Sequence, residues 1–195
     1  MLEKELWLYR ALNGRTIVFS KDIAEKSTTL TYGYDVALGI ASIIGKETAL
    51  GEAFHITSDE SYTWKEILEI YLDTIEKKTG MRPKVLLLDK SPHLEWIGAK
   101  WQVILDRYYN RRFDNSKIQQ YIDTSQFVRT ESGLISCLES FLCHPQFKKM
   151  GWGIQGTYDR ITGEWAPFSE ISIIKDCISY LLHRTVVPPK SKLSI

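Results

Sequence analysis

The sequence predicts a mixed α/β fold in which helix outweighs strand, and three observations carry that expectation. Two short runs, Thr16–Phe19 (TIVF) and Lys84–Leu88 (KVLLL), are rich in branched apolar residues and bounded by polar ones, as buried strands are. Between and after them, apolar residues recur at helical spacing in several longer segments. The 195 residues are 44% hydrophobic and 25% charged, enough apolar material for a core and without the signature of disorder.

Taken in order, Leu2, Leu6, Leu8, Tyr9 and Leu12 have helical spacing, and Asn13-Gly14 supplies a stop. Thr16–Phe19 follows as a strand, and the polar stretch Ser20–Ser27 reads as a loop. In Tyr34–Ile44, residues Val36, Ile40, Ile43 and Ile44 share one helical face, with Gly45 placed to end it. Ala53–Ile56 (AFHI) reads as a short buried strand. Thr63-Trp64-Lys65-Glu66 has the pattern of a capping box, in which hydroxyl and carboxylate satisfy the first amides of a helix. Ile67, Leu68, Ile70, Tyr71 and Ile75 continue that helix to Thr79-Gly80.

After the Lys84–Leu88 strand, Ser91-Pro92 has the form of a helix start, with Ser as cap and Pro at the first position. Asp114-Asn115 is placed to cap a short helix over Ser116–Ile122. Thr130–Cys143 is amphipathic and stops before His144-Pro145. Ile171–Leu182 is the last apolar-rich helix, ahead of a polar tail over 185–195. With no repeat or internal linker, residues 1–184 read as one domain.

Composition excludes several function classes. Lys and Arg number 25 against 24 Asp and Glu, a formal charge of +1. A duplex-binding domain carries a basic excess or stripe, so nucleic acid is not expected as a partner. No run of roughly 18 apolar residues suggests a membrane span, and the charged start MLEKELWLYRALNGR lacks a signal-peptide core. Cys137, Cys143 and Cys177 form no CxxC pair and are odd in number. They read as buried free thiols, and the chain as cytoplasmic.

Four chemical constellations bear on function. Gly151-Trp152-Gly153-Ile154-Gln155-Gly156 is a literal GxGxxG, but a dinucleotide site needs a buried strand before it and a helix after it. PQFKKM precedes it and turn-like residues follow, so it reads as a glycine-rich loop with no cofactor. His55, His93, His144 and His183 lack ligand spacing, so no metal site is expected. No GxSxG elbow singles out a nucleophile. Finally, Asp106–Phe113 (DRYYNRRF) interleaves three arginines with three aromatics. That pattern suits a phosphate and a stacked base, and equally a solvated helix end over packed aromatics.

Several segments together resemble the extended short-chain dehydrogenase/reductases, in their NAD-dependent epimerase/dehydratase branch. Thr29–Gly39 (TLTYGYDVALG) resembles that family's Asp-hydrophobic-Ala segment, which opens a helix beside the active site. Gly51–Asp59 (GEAFHITSD) resembles its Gly-Glu-x-Phe/Tyr-Asn/His-Ile strand, followed by the helix start Tyr62–Ile67 (YTWKEI). Phe113–Ile118 (FDNSKI) resembles Asp-x-Ser-Lys, and Phe127–Leu134 (FVRTESGL) the start of the late helix. The resemblance covers roughly residues 1–145 and is loose beyond them.

The resemblance implies a partial Rossmann-type fold: mainly the carboxy-terminal substrate domain, plus late strand-helix elements of the dinucleotide-binding domain. It implies a nucleotide-sugar substrate, and NAD(P) for a complete family member, with no cofactor expected on this chain alone. The family's GxxGxxG loop is missing, and none of the ten tyrosines has Lys four residues later. Tyr108 and Tyr180 have Arg112 and Arg184 there, and arginine replaces an ammonium poorly. No catalytic residue is therefore expected on this chain, and the amino-terminal half is expected to lie outside this sequence.

Departures inside the matched region matter for the substrate. Ser27-Thr28-Thr29 stands where UDP-sugar epimerases carry arginine, and Tyr32 where many relatives carry histidine. Arg107 or Arg112 is the expected replacement contact for the nucleotide diphosphate. His55 matches a position the family fills with Asn or His, and reads as a buried, hydrogen-bonded residue.

Two functions of different class follow. One is the substrate half of an epimerase or dehydratase, inactive until the other half supplies tyrosine, lysine and cofactor. The other is a non-catalytic sugar-nucleotide-binding remnant or interaction subunit. An unrelated α/β binding module is a third. A partial sheet leaves an open edge, so pairing with an amino-terminal half or self-association is expected.

Overall fold

A computed structural model describes residues 4–92, 99–147 and 150–186. Helix and strand are mixed, with helix predominating. The element order is α1 (Lys4–Leu12), β1 (Ile17–Ser20), α2 (Lys21–Ala24), β2 (Ser27–Thr28), α3 (Gly33–Ile43), β3 (Tyr62–Thr63) and α4 (Trp64–Thr79). Then come β4 (Val85–Leu88), α5 (Ala99–Gln102), α6 (Thr130–Cys143), α7 (Trp152–Thr162) and α8 (Ile174–Leu181). Two π-helical turns, Val103–Arg107 and Leu182–Val186, extend α5 and α8. The chain divides into two compact units, Met1–Ile23, Met81–Arg107 and Pro145–Ile195 in the first, Ala24–Gly80 and Tyr108–His144 in the second.

The first unit holds a parallel pair of strands, β1 with β4, in the register Ile17↔Val85 to Ser20↔Leu88. Parallel neighbours require a long crossover, and here the chain runs through residues of the second unit before it returns. Ile17 and Phe19 are buried, as is Leu8 from α1. The other helical layer is α7 against α8, around Trp152, Ala166, Ile171 and Tyr180. Trp152 and Tyr180 meet edge to face, with ring centroids 6.1 Å apart.

Between these layers lies a buried ionic cluster. The Arg10 guanidinium is fully buried and has every nitrogen engaged: Nε donates to the Thr16 carbonyl at 2.7 Å. Nη1 donates to Asp159 Oδ1 at 2.6 Å and Gln155 Oε1 at 3.1 Å. Nη2 donates to Glu164 Oε2 at 2.8 Å and Thr162 Oγ1 at 3.3 Å. A buried charge is tolerated only when so paired.

The literal GxGxxG is helix, not loop. Gly151 is the residue before α7, and Gly153 and Gly156 lie inside it. A β-carbon at Gly156 would stand 2.4 Å from the Tyr180 carbonyl oxygen, and one at Gly153 would stand 2.9 Å from Ser179 Oγ. These glycines let α7 and α8 approach closely, which is a packing role. The expected turn over Tyr158-Asp159-Arg160 is likewise helix, closed by Gly163 at φ 75°.

In the second unit, α4 forms as its sequence dictates. Thr63 Oγ1 accepts from the Glu66 amide at 3.2 Å, and the Glu66 carboxylate accepts from the Thr63 amide at 2.7 Å. Gly80, at φ 78°, ends the helix in the left-handed region. Trp64, Ile67, Leu68, Leu72 and Ile75 form its buried face, which packs against α6.

Several expectations are corrected. Ser20–Ser27 is not all loop: it contains α2, and β2 pairs antiparallel with β3. Ala53–Ile56 forms no strand and pairs with none. The short helix over Ser116–Ile122 shrinks to one 3-10 turn, Ile118–Gln120. Cys137 and Cys143 are exposed, since α6 turns Leu138 inward. The helix expected to start at Ser91-Pro92 runs into residues 93–98, outside the described ones; of the tail expected over 185–195, Thr185 and Val186 are π-helical and the rest lies outside the described residues.

The buried face of α3 is rotated from the expected one. Its buried residues are Asp35 and Gly39, with Val36 and Ile43 half-buried beside them, while Ile40 and Ile44 are exposed. The Asp35 carboxylate accepts the Val128 amide at 2.9 Å. A β-carbon at Gly39 would meet Ile56 Cγ2. A hydrogen bond and a close approach therefore fix which side faces inward.

Candidate functional site

Two places concentrate polar chemistry, one in each unit. In the first unit, Tyr180 donates to Asp159 Oδ2 at 2.7 Å and accepts the Ala166 amide at 2.7 Å. Tyr9 donates to Glu170 Oε2 at 2.6 Å, and Arg15 Nη2 donates to the same oxygen at 2.9 Å. Burial, together with the adjacent carboxylate, pushes each of these two phenols up to about 12. Arg15 Nε is buried without a hydrogen bond, and its Nη1 has an ionic contact of 3.6 Å to Asp159. The ring of Tyr9 lies against that guanidinium, 5.2 Å from centroid to carbon. These bonds link α1, α7 and α8, so this cluster holds the three helices together.

The second unit brings together the segments whose order resembles the epimerase/dehydratase family. From 29–39, Thr31 Oγ1 accepts the Ser58 amide at 2.9 Å. Thr130, at the start of α6, donates to the Leu30 carbonyl at 3.2 Å and lies 3.2 Å from Ser58 Oγ. From 113–118, Asn115 is buried: its amide donates to the Thr57 carbonyl and to Asp59 Oδ1, each at 2.7 Å. Its own oxygen accepts from Thr57 Oγ1 at 3.0 Å. Thr124 closes the circuit, donating to Asp59 Oδ2 at 2.9 Å.

The N-terminus of α6 has no local cap. Glu60 supplies one from a distant segment, accepting the Thr130 amide at 2.6 Å. Burial would raise the Glu60 carboxyl, but the Thr130 amide and the Arg129 guanidinium more than offset it and hold it below the usual range. Beside this joint, Leu30, Thr31, Tyr32, Gly33, Thr130, Gly133, Leu134 and Cys137 line a cleft of about 90 Å³. Ligand pockets for drug-sized molecules run to roughly 300–1,000 Å³. This cleft is smaller than that.

An exposed shelf lies on the 52–55 and 112–121 segments. The His55 ring packs against Phe113 with centroids 5.1 Å apart, and Phe54 against Tyr121 at 5.5 Å. Lys117 sits over the Phe54 ring and pairs with Glu52. His55 is thus exposed and ring-stacked, which corrects the expectation of a buried, hydrogen-bonded residue. The segment that carries it has no strand to bury it.

The two arginines singled out from the sequence fall in different units. Arg107 ends the π-helical turn Val103–Arg107 in the first unit, with its side chain 13% exposed and Asp106 at 3.6 Å. Arg112 is exposed in the second unit, one residue before Phe113 of the shelf. Arg111, not selected from the sequence, does structural work: its Nη2 donates to Thr28 Oγ1 at 2.5 Å, and its amide to the Ser27 carbonyl at 3.0 Å. Asn115, Thr31 and Thr130 were also missed as joints. Their only sequence signal was membership of short segments with a shared order.

Two glycines of the chain's GxGxxG, Gly153 and Gly156, face α8 and its π-helical extension, where an added side chain would collide with backbone at Gly156 and with the Ser179 and His183 side chains at Gly153. Among the described residues, no group of three His, Cys, Asp or Glu is placed to hold a metal ion, and no helix is long and apolar enough to cross a membrane. Comparison with protein-family models, curated proteins and solved structures finds no match to this chain.

Proposed function

We propose that this chain is the substrate-binding part of a protein of the NAD-dependent epimerase/dehydratase type, acting on a nucleotide-linked sugar. One observation carries the reading. Segments 29–39, 51–59, 113–118 and 127–134, which resemble that family in order, are bonded into one unit through Thr31, Ser58, Asn115 and Thr130. The parallel pairing of β1 with β4 supports the further reading of these strands as late elements of a Rossmann-type sheet. On this reading Arg112 meets the diphosphate as a two-pronged donor, and the His55–Phe113 rings offer a face for the base. A dinucleotide-binding part, joined to this chain or separate, supplies the cofactor and the Tyr–Lys pair, and no reaction step is assigned to this chain.

A second reading, a sugar-nucleotide binder or interaction subunit without turnover, is favoured by the lack of any Tyr-x-x-x-Lys in these 195 residues. Calorimetry with UDP- and dTDP-sugars, on this chain alone and co-expressed with a dinucleotide-binding half, tests both. Sugar-nucleotide affinity that falls at least tenfold in Arg112→Ala supports the site. Turnover in the co-expressed pair selects the first reading, and binding without turnover selects the second. Absence of sugar-nucleotide binding in either state rejects both.

A further inference from the structure

The last helix of the first unit carries an apolar stripe on its outer side. On α8 and its π-helical extension, Ile174 is 80% exposed, Ile178 53%, Leu181 36%, Leu182 45% and Val186 67%, with Ile173 just before them at 59%. Ile174, Ile178 and Leu181 follow one another at steps of four and three, the spacing of a seam between two helices. Leu182 and Val186 continue the stripe from Ile178 at two further steps of four, across the π-helical turn.

The opposite side of the same helix is already satisfied. Tyr180 is fully buried against α7, and Gly156 permits the close approach there. The stripe is therefore a second face, distinct from the one used to build the unit. Together its six residues expose roughly 600 Å², at the upper limit of the largest apolar patch on ordinary monomers. That area approaches the roughly 800 Å² per partner of a standard interface.

We infer that a second copy of this chain covers this stripe, with α8 paired on α8 across a two-fold axis. A copy is the occupant because an isologous contact needs only one self-complementary surface on each partner. The four-three spacing suits knobs-into-holes packing of like helices. The area is also of the order that a stable dimer buries. This assembly is independent of sugar-nucleotide binding, and its test does not involve the substrate.

The test is sedimentation velocity and light scattering on the full chain from about 1 to 100 µM, a range that brackets micromolar dissociation constants. The expected result is a particle of twice 22.6 kDa, reduced to one chain by Ile178→Glu or by Ile174→Lys. Both positions are exposed in the single chain, so the circular dichroism of the variants is expected to stay unchanged, while the melting temperature rises with concentration in the parent alone. As a control for a different surface, Leu38→Glu on α3 is expected to leave the dimer intact. A monomer at every concentration overturns the inference. So does a dimer that survives Ile178→Glu, or one that dissociates only in Leu38→Glu.

Discussion

Tyr180 on α8 and Asp159 on α7 meet at 2.7 Å through Asp159 Oδ2, while the other oxygen of that carboxylate holds Arg10 at 2.6 Å. One carboxylate thus ties together α1, α7 and α8. Removing one partner of a buried ion pair leaves an uncompensated charge, at a cost of about 3–5 kcal/mol. Asp159→Ala is expected to lose that much in guanidinium unfolding, and Tyr180→Phe about 1–3 kcal/mol. A loss below about 1 kcal/mol in Asp159→Ala would falsify the claim that this carboxylate holds the three helices together.

Glycine to alanine inside a helix ordinarily stabilises by about 1 kcal/mol. At Gly156 the sign reverses, because the added carbon meets the Tyr180 carbonyl at 2.4 Å and backbone has to move. Gly156→Ala is expected to destabilise by about 1–3 kcal/mol. Gly153→Ala is expected to lose less, since its near neighbours are the Ser179 and His183 side chains. NAD(H) titration monitored by fluorescence is expected to give no signal in either variant or the parent.

Acid stability has a traceable origin in Glu164. Burial favours its neutral form, but the Thr16 hydroxyl and amide, with Thr162 and Arg10, more than compensate and lower it from 4.5. A group depressed in the folded state stabilises fully above its unfolded value, and that contribution disappears as pH falls through the folded value. Glu164→Gln is therefore expected to flatten the loss of stability below pH 4.5. Denaturant titrations at stepped pH measure it, and a slope matching the parent's would place the acid sensitivity elsewhere.

The adjacent arginines 111 and 112 are expected to separate structure from binding. Arg111→Ala removes the 2.5 Å bond to Thr28 and is expected to lower the stability of the second unit by about 1–3 kcal/mol. Arg112→Ala, at an exposed position, is expected to stay within about 0.5 kcal/mol of the parent. Thermal melts distinguish the two, and equal losses would mean that Arg112 also carries a structural contact.

Thiol labelling checks the corrected placement of the cysteines. Cys137 and Cys143 are exposed, whereas Cys177 is half-buried with its sulfur 3.6 Å from the Ile171 carbonyl. Two thiols are expected to react quickly and the third slowly with an aromatic disulfide reagent. Three equal rates would contradict the packing of α8.

How much of this was legible depended on the range of the physics involved. Helix α4 could be read to its ends, because the Thr63–Glu66 capping box, the apolar spacing and Gly80 are all local. The β1 and β4 runs announced themselves by branched apolar residues, though nothing in either named the other as its partner. Helix α3 was read only in part: of its expected face Val36 and Ile43 are half-buried, but Ile40 and Ile44 are exposed because the inward side is centred on Asp35, which holds the Val128 amide, and on Gly39. At the candidate site, Arg112 was visible as part of a basic-aromatic run. Asn115, Thr31 and Thr130 were not, because each bonds a residue 27 to 100 positions away.

By itself, then, the sequence determined the helices α1, α3, α4, α6 and α8, the capping box of α4, the two apolar strands, and the want of a Tyr-x-x-x-Lys pair. Those follow from periodicity and near-neighbour hydrogen bonding, which act over a few residues. Tertiary structure alone decided that the GxGxxG is a packed helix, that Asp35 faces inward, and that Arg10 shares Asp159 with Tyr180. Each is settled by steric fit or by pairing of buried polar groups between distant segments, and a one-dimensional pattern does not encode which groups will meet.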